Sequence, residues 1–130
     1  MFVRTIDDIT DTDADIKTDN WRSKRIVLAK DKLGFLGARD HALRGYRERF
    51  WYANHIEAVF ITQGEGEVED KATGEVHQLK PGSIYVLNNA DKHQVRPRTE
   101  MKTVCVFNPP VTGREVHDEN GVYPLVVEED

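Results

Sequence analysis

The sequence predicts an all-β fold, an antiparallel sandwich or barrel, and three observations carry that expectation. Short runs rich in β-branched and aromatic residues recur along the 130-residue chain: "WRSKRIVLA" (21–29), "GFLGARDHAL" (34–43), "FWYANHIEAVFIT" (50–62), "GEVED" (66–70), "GEVHQL" (74–79), "SIYVL" (83–87), "HQVRP" (93–97) and "KTVCVFN" (102–108). Gly, Pro, Asn and Asp separate them at roughly regular intervals, the pattern of an antiparallel sheet protein and not of alternating strands and helices. Finally, "QGEGEVE" followed by "KATGEVHQLKPGSIYVL" reads as strand, tight turn, strand, with Gly64 and Gly82 where the chain must corner.

Taken in order, residues 7–19 are filled with aspartates and threonines, with apolar side chains only at Ile6, Ile9 and Ile16 nearby. A short helix plus irregular chain is expected there. The strand-like runs then follow one another to residue 108. The tail after Tyr123 ends "VVEED" and is expected to fray, which leaves one domain over residues 1–124 and a frayed 125–130. A net charge of −5 provides no basic patch for phosphate backbones and argues against nucleic acid as a partner. No apolar run is long enough to span a bilayer, and the acidic opening "MFVRTIDDITDTDADIK" is unlike a signal or transit peptide, so a cytoplasmic protein is expected. The lone Cys105, in "TVCVF", reads as a small core residue.

One residue resists the bland reading. Strict alternation in residues 50–62 puts Trp51, Ala53, His55, Glu57, Val59 and Ile61 on one face. A half-buried strand does not ordinarily hide a carboxylate, because an unpaired buried charge costs several kcal/mol. A cation inside would explain Glu57. Two donors hold a divalent metal poorly, so a third is expected in the same cavity. His55 shares the face of Glu57, and Tyr85 shares a face with Leu87 on "SIYVL". Against this stands the ordinary alternative of a core tyrosine and a hydrogen-bonded His–Glu pair.

The glycine-punctuated strands resemble the cupin family, a small jelly-roll β-barrel. Its first motif, G-x5-H-x-H-x3-E-x6-G, falls on Gly45, Trp51, Ala53, Glu57 and Gly64; the spacing matches, but Trp51 and Ala53 stand in place of the histidines. Its second, G-x5-P-x-G-x2-H, falls on Gly82, Asn88, Ala90 and His93, keeping the first glycine and the histidine. A more specific likeness runs from about residue 1 to 124: "VCVFNPPVTGREVHDENGVYP" (104–124) with "YANHIEAV", "GEGEVED", "GEVHQLKPG" and "DKH" resembles the ectoine synthase family. That family closes N-γ-acetyl-diaminobutyrate into the cyclic solute ectoine with loss of water.

The resemblance implies an iron cofactor, Fe(II), held by Glu57, Tyr85 and His93, and a small-molecule substrate. It further implies that Trp21, Arg25, Tyr52, His55, Cys105, Phe107, Glu115 and His117 line the pocket. Among these, Glu115, His117, His55 and Tyr52 are the candidates for moving protons. Trp21, Arg25, Cys105 and Phe107, together with Asp40, are the candidates for holding substrate, and Arg25 suits a carboxylate. For Glu115 and His117 the competing reading is a solvated turn. Cupins of this size commonly pair through sheet edges, and a homodimer is expected.

Residues 36–51, "LGARDHALRGYRERFW", depart from the family, which usually has a polar side chain at Ala38, Thr at Asp40 and at His41, and His at Trp51. If the strand keeps its alternation, Leu36, Ala38, Asp40 and Ala42 face inward. An inward Asp40 would repel a substrate carboxylate or recruit an amine, and either would alter specificity. The alternative function is therefore a cupin that binds a small polar metabolite without catalysing anything.

Overall fold

The computed structural model describes residues 1–43, 55–89 and 91–110. A single helical turn, α1 (Ile6–Ile9), is followed by the strands β1 (Asp15–Lys17), β2 (Trp21–Val27), β3 (Leu36–Ala42), β4 (Ile56–Gln63), β5 (Gly66–Asp70), β6 (Val76–Leu79), β7 (Ile84–Leu87), β8 (His93–Pro97) and β9 (Met101–Asn108). They form a six-stranded sheet ordered β1-β2-β3-β9-β4-β7 and a three-stranded sheet ordered β6-β5-β8, with every pairing antiparallel. Two antiparallel sheets with the core between them are the jelly-roll arrangement expected from the sequence.

The N-terminal segment carries one correction. Irregular chain was expected after the helix, whereas Asp15–Lys17 forms a strand on β2, with Asp15 opposite Lys24 and Lys17 opposite Arg22. The physical reason is cross-strand charge. Arg22 donates through Nε to Asp15 Oδ1 at 2.8 Å and through Nη2 to the other oxygen, so three residues with little apolar content gain a bidentate ion pair. That guanidinium holds the Asp15 carboxyl down at about 2. The helix is set by Thr5, whose hydroxyl accepts from Asp8 N while Asp8 Oδ2 accepts from Thr5 N at 2.8 Å.

Register then fixes which side chains meet inside, because directly paired residues of a sheet point to the same face. One inner row runs Arg25–Ala38–Cys105–Val59–Tyr85 across β2, β3, β9, β4 and β7. A second runs Ser23–Asp40–Thr103–Ile61, and a third Leu36–Phe107–Glu57–Leu87. Leu36, Ile61, Met101 and Cys105 are completely enclosed. The inner face of the small sheet adds Val68 and Val95, paired with each other. Asp70 pairs with His93 two residues along, so His93 faces the same interior.

Glycine is required at one corner. Gly64 has φ +88°, and a Cβ there would lie 2.0 Å from the Glu100 carbonyl oxygen. Gly82 also turns through positive φ, at +94°, which places both predicted corners at the ends of β4 and before β7. Behind this wall, the outer face of the six-stranded sheet is apolar: Val86–Ala58–Val106 and Ile84–Phe60–Val104 form two adjacent rows. Phe60, Ile84, Val86, Val104 and Val106 are all exposed.

Candidate active site

Glu57 enters the interior because β4 has no freedom to do otherwise. Val59 and Ile61 are core residues on the same face, and slipping the strand by one residue would expose both. The carboxylate is consequently 3% exposed. It lines an inner cavity with Trp21, Asp40, Tyr85, Val95 and Thr103. Tyr85 also lines a larger cleft of about 590 Å³ that His93 and Asp91 border, so it is common to the cavity of Glu57 and the cleft of His93. The Tyr85 and His93 ring centroids are 6.5 Å apart.

His93 is oriented by backbone. Its Nδ1 donates to the Asp91 carbonyl at 3.2 Å, which makes the buried Nε2 the nitrogen with the lone pair. Among the described residues, no three His, Cys, Asp or Glu side chains converge as a metal cluster. Among the described residues, Tyr85 lines both the cavity of Glu57 and the cleft of His93. A carboxylate, a phenol and an imidazole are a donor set that would suit a first-row divalent cation such as iron(II). His55 turns elsewhere: its Nδ1 donates to the Pro109 carbonyl at 2.8 Å, and its ring meets Phe107 edge-on with centroids 5.9 Å apart.

The other substrate-side residues fall on the β2, β3 and β9 wall. Trp21 and Asp40 line the inner cavity, and Arg25, 2% exposed, sits in the row of Cys105. Asp40 faces inward between Ser23 and Thr103, as alternation in residues 36–42 predicts, with Ala42 following it into the cavity. The Cys105 thiol donates to Asp40 Oδ2 at 3.5 Å. Burial pushes that thiol well up, the Asp40 and Glu57 charges push it further, and Arg25 pulls it back. Cys105 is thus both the core residue expected from composition and a neighbour of the pocket charges. Phe107 stands beside Glu57 in the third inner row. Tyr52, Glu115, His117 and the motif positions Gly45, Trp51, Ala53 and Ala90 lie outside the described residues, as does the tail 125–130.

Sequence reasoning missed Thr103 and Met101 as cavity-lining residues. The signal was available: counting back in twos from Phe107 and Cys105 leads to Thr103 and Met101. The Asp91 carbonyl that orients His93 leaves no trace in side-chain identity.

The family model for ectoine synthase matches residues 1–127. The chain belongs to the ectoine synthase family. It is similar to the L-ectoine synthase of Saccharopolyspora erythraea, 71% identical over 130 residues, covering 100% of this chain and 96% of that protein. It is also similar to that of Thermobifida fusca, at 54% identity over 99% of this chain and 96% of the other. Among solved structures, ectoine synthase from P. lautus superposes with a TM-score of 0.86 at 45% identity, covering 100% of this chain and 94% of that one. A cupin barrel protein from Salinispora arenicola, at 20% identity and TM-score 0.65 over 82% of this chain and 87% of the other, shows the barrel fold alone. The family match runs through residues 36–51 as well. No helix among the described residues is long and apolar enough to cross a membrane.

Proposed function

We propose that this protein is an iron(II)-dependent ectoine synthase, a hydro-lyase closing N-γ-acetyl-L-2,4-diaminobutyrate to ectoine with loss of water. The observation that carries the reading is a buried carboxylate, Glu57, sharing one interior with Tyr85 in a chain 71% identical to an L-ectoine synthase. Glu57, Tyr85 and His93 would hold the metal, which when bound supplies a Lewis acid for the amide carbonyl.

The remaining work falls to side chains. In the reaction the α-nitrogen bonds to the amide carbon, loses its protons, and the carbonyl oxygen departs as water, leaving a C=N bond in the ring. Folding the substrate so that amine and carbonyl meet is the entropic part of the barrier. Arg25 holds the α-carboxylate and Trp21 and Phe107 form the walls. The enclosed interior excludes bulk water from a dehydration. Proton transfers need groups near the amine and the departing oxygen, and we assign them to Glu115 and His117, assisted by Tyr52 and by His55 through Nε2, the nitrogen left as acceptor once Nδ1 donates to Pro109.

A homodimer in the cytoplasm is the form we propose for the active protein. The support for pairing is the exposed apolar patch on the outer face of the large sheet, bounded at one side by the edge strand β7. Sedimentation of the parent and of Phe60→Glu checks it: the parent should run as a dimer and the variant should shift toward monomer. Product analysis after adding N-γ-acetyl-diaminobutyrate and anaerobic iron(II) tests the activity. Ectoine should form in the presence of the metal, and its absence at full iron loading would refute the reading.

A further inference from the structure

The connection from β7 to β8 has a candidate metal donor on either side of it, Tyr85 before and His93 after. It crosses from the six-stranded sheet to the three-stranded one, so its shape sets how His93 stands relative to Tyr85. Its far end is pinned where Lys71 N donates to the Lys92 carbonyl at 2.9 Å. Cupins shape this connection with the proline and the second glycine of G-x5-P-x-G-x2-H. In this chain those positions are Asn88 and Ala90. They supply neither the fixed φ of proline nor the freedom of glycine, and residue 88 regains an N–H.

Asp91 makes up the difference with its side chain. Its Oδ2 accepts from Asn88 N at 3.0 Å and from Asn89 N at 3.1 Å, a clasp that closes the turn from within. Both asparagines are exposed, where water could take those N–H groups, so the clasp is not forced by burial. What it fixes is the backbone of Asp91, whose carbonyl accepts from His93 Nδ1 at 3.2 Å. Any residue at this position has a carbonyl. Particular to Asp91 is the carboxylate that holds that carbonyl in place.

The consequence reaches the imidazole. With Nδ1 donating, the buried Nε2 carries the lone pair that a metal needs, and the Tyr85 ring lies 6.5 Å away, centroid to centroid. Without the clasp, binding a metal would itself have to select the tautomer and ring angle of His93, at a cost in affinity. We propose that Asp91 is a positioning residue of the metal site: its carboxylate clasps the amides of Asn88 and Asn89, which holds its carbonyl on His93 Nδ1 and presents Nε2 as a donor. Asp91 acts through His93 and is not itself a ligand. The inference rests on the reading of Glu57, Tyr85 and His93 as iron(II) donors, and it gives Asp91 the task that proline and glycine perform in the motif.

The test compares the full-length parent with Asp91→Asn, whose amide oxygen can still accept from both N–H groups, and with Asp91→Ala, which removes the clasp. Anaerobic titration gives the iron(II) dissociation constant of each. Losing a group that orients a metal-binding histidine costs about 10- to 100-fold in affinity, so Asp91→Ala should weaken binding by that factor and Asp91→Asn by less than about threefold. Nitrogen NMR of the neutral His93 ring in metal-free protein supplies a second readout. The parent and Asp91→Asn should hold the proton on Nδ1, and Asp91→Ala should show both tautomers. Equal losses of affinity in the two variants would make the charge of Asp91, and not its clasp, the active feature and overturn the proposal. So would unchanged affinity in Asp91→Ala, or a parent proton on Nε2, a result that requires no variant to fold. A merely structural role would lower the melting temperature of metal-free Asp91→Ala and leave both readouts alone, as the distant Gly64→Ala should. Should the parent bind no iron(II), the metal reading fails by itself. The tautomers then decide for Asp91: an Nδ1 proton displaced only in Asp91→Ala supports it, and no difference among the three proteins sinks it.

Discussion

Replacing Glu57 with Gln separates the cost of a buried charge from its use. The carboxylate is 3% exposed, and an ionised group in such a position carries a desolvation penalty that its contacts in the fold have to offset. Glu57→Gln keeps the shape and removes the charge, so the melting temperatures of the metal-free parent and variant read the net effect of that charge on the fold. With iron(II) the parent alone should gain stability. A ligand that binds only the folded state at 100 times its dissociation constant adds about 2.7 kcal/mol. For a chain of 130 residues that corresponds to a rise of about 10 °C in the parent. The variant, missing one of three donors, should show little or none of this rise. Anaerobic differential scanning calorimetry with and without iron(II), supported by elemental analysis, gives both numbers. A variant that keeps the full metal-induced rise would show that Glu57 is not a ligand, and a parent that shows no rise would remove the metal from the site altogether.

The remaining predictions concern the frame around the site. Gly64→Ala places a methyl group 2.0 Å from the Glu100 carbonyl oxygen at φ +88°, so it should cost more than about 2 kcal/mol and lower the denaturation midpoint without changing the residual metal stoichiometry. Asp31 is held at about 2 by the Arg4 guanidinium, with both contacts at 2.7 Å, in place of its ordinary 3.8. A folded-state pKa depressed in this way stabilises above the unfolded value and is lost as pH falls. Asp31→Asn should accordingly cost on the order of 2 kcal/mol at pH 7. The gap between variant and parent should close between about pH 4 and pH 2; a gap that stays constant over that range would place the stabilisation elsewhere.

How much of this was readable in the sequence depends on whether the signal is local. Strand positions were, because alternation and glycine corners act within a few residues: the run at 93–97 is β8 as drawn, and β9 extends only one residue beyond its run. The inward faces of Glu57 and Asp40 followed from the same two-residue period, and the burial of Cys105 from its apolar neighbours in "TVCVF". Asp15–Lys17 was not legible, since that strand exists through a bidentate pair with Arg22 on a neighbouring strand and not through its own apolar content. The orientation of His55 escaped for a related reason. Shared parity with Glu57 made it an alternative third donor, but its ring is set by the carbonyl of Pro109, fifty-four residues away, and turns onto Phe107.

The donor set also depends on a relation that no single strand contains. Glu57 and Tyr85 belong to adjacent strands of the large sheet, where pairing Val59 with Tyr85 fixes their offset. His93 begins β8 of the small sheet, and the described strands β6 and β7 that bring the two sheets to their common side are not paired with each other. Along that side the cleft bordered by Tyr85 and His93 takes the place of a hydrogen-bonded ladder. An ion bound by all three residues would therefore join the sheets where the backbone does not, so that metal affinity and closure of the barrel would be linked quantities. Such an ion would tie Glu57 of β4 to His93 of β8 across the gap, with Tyr85 contributed from the strand beside Glu57.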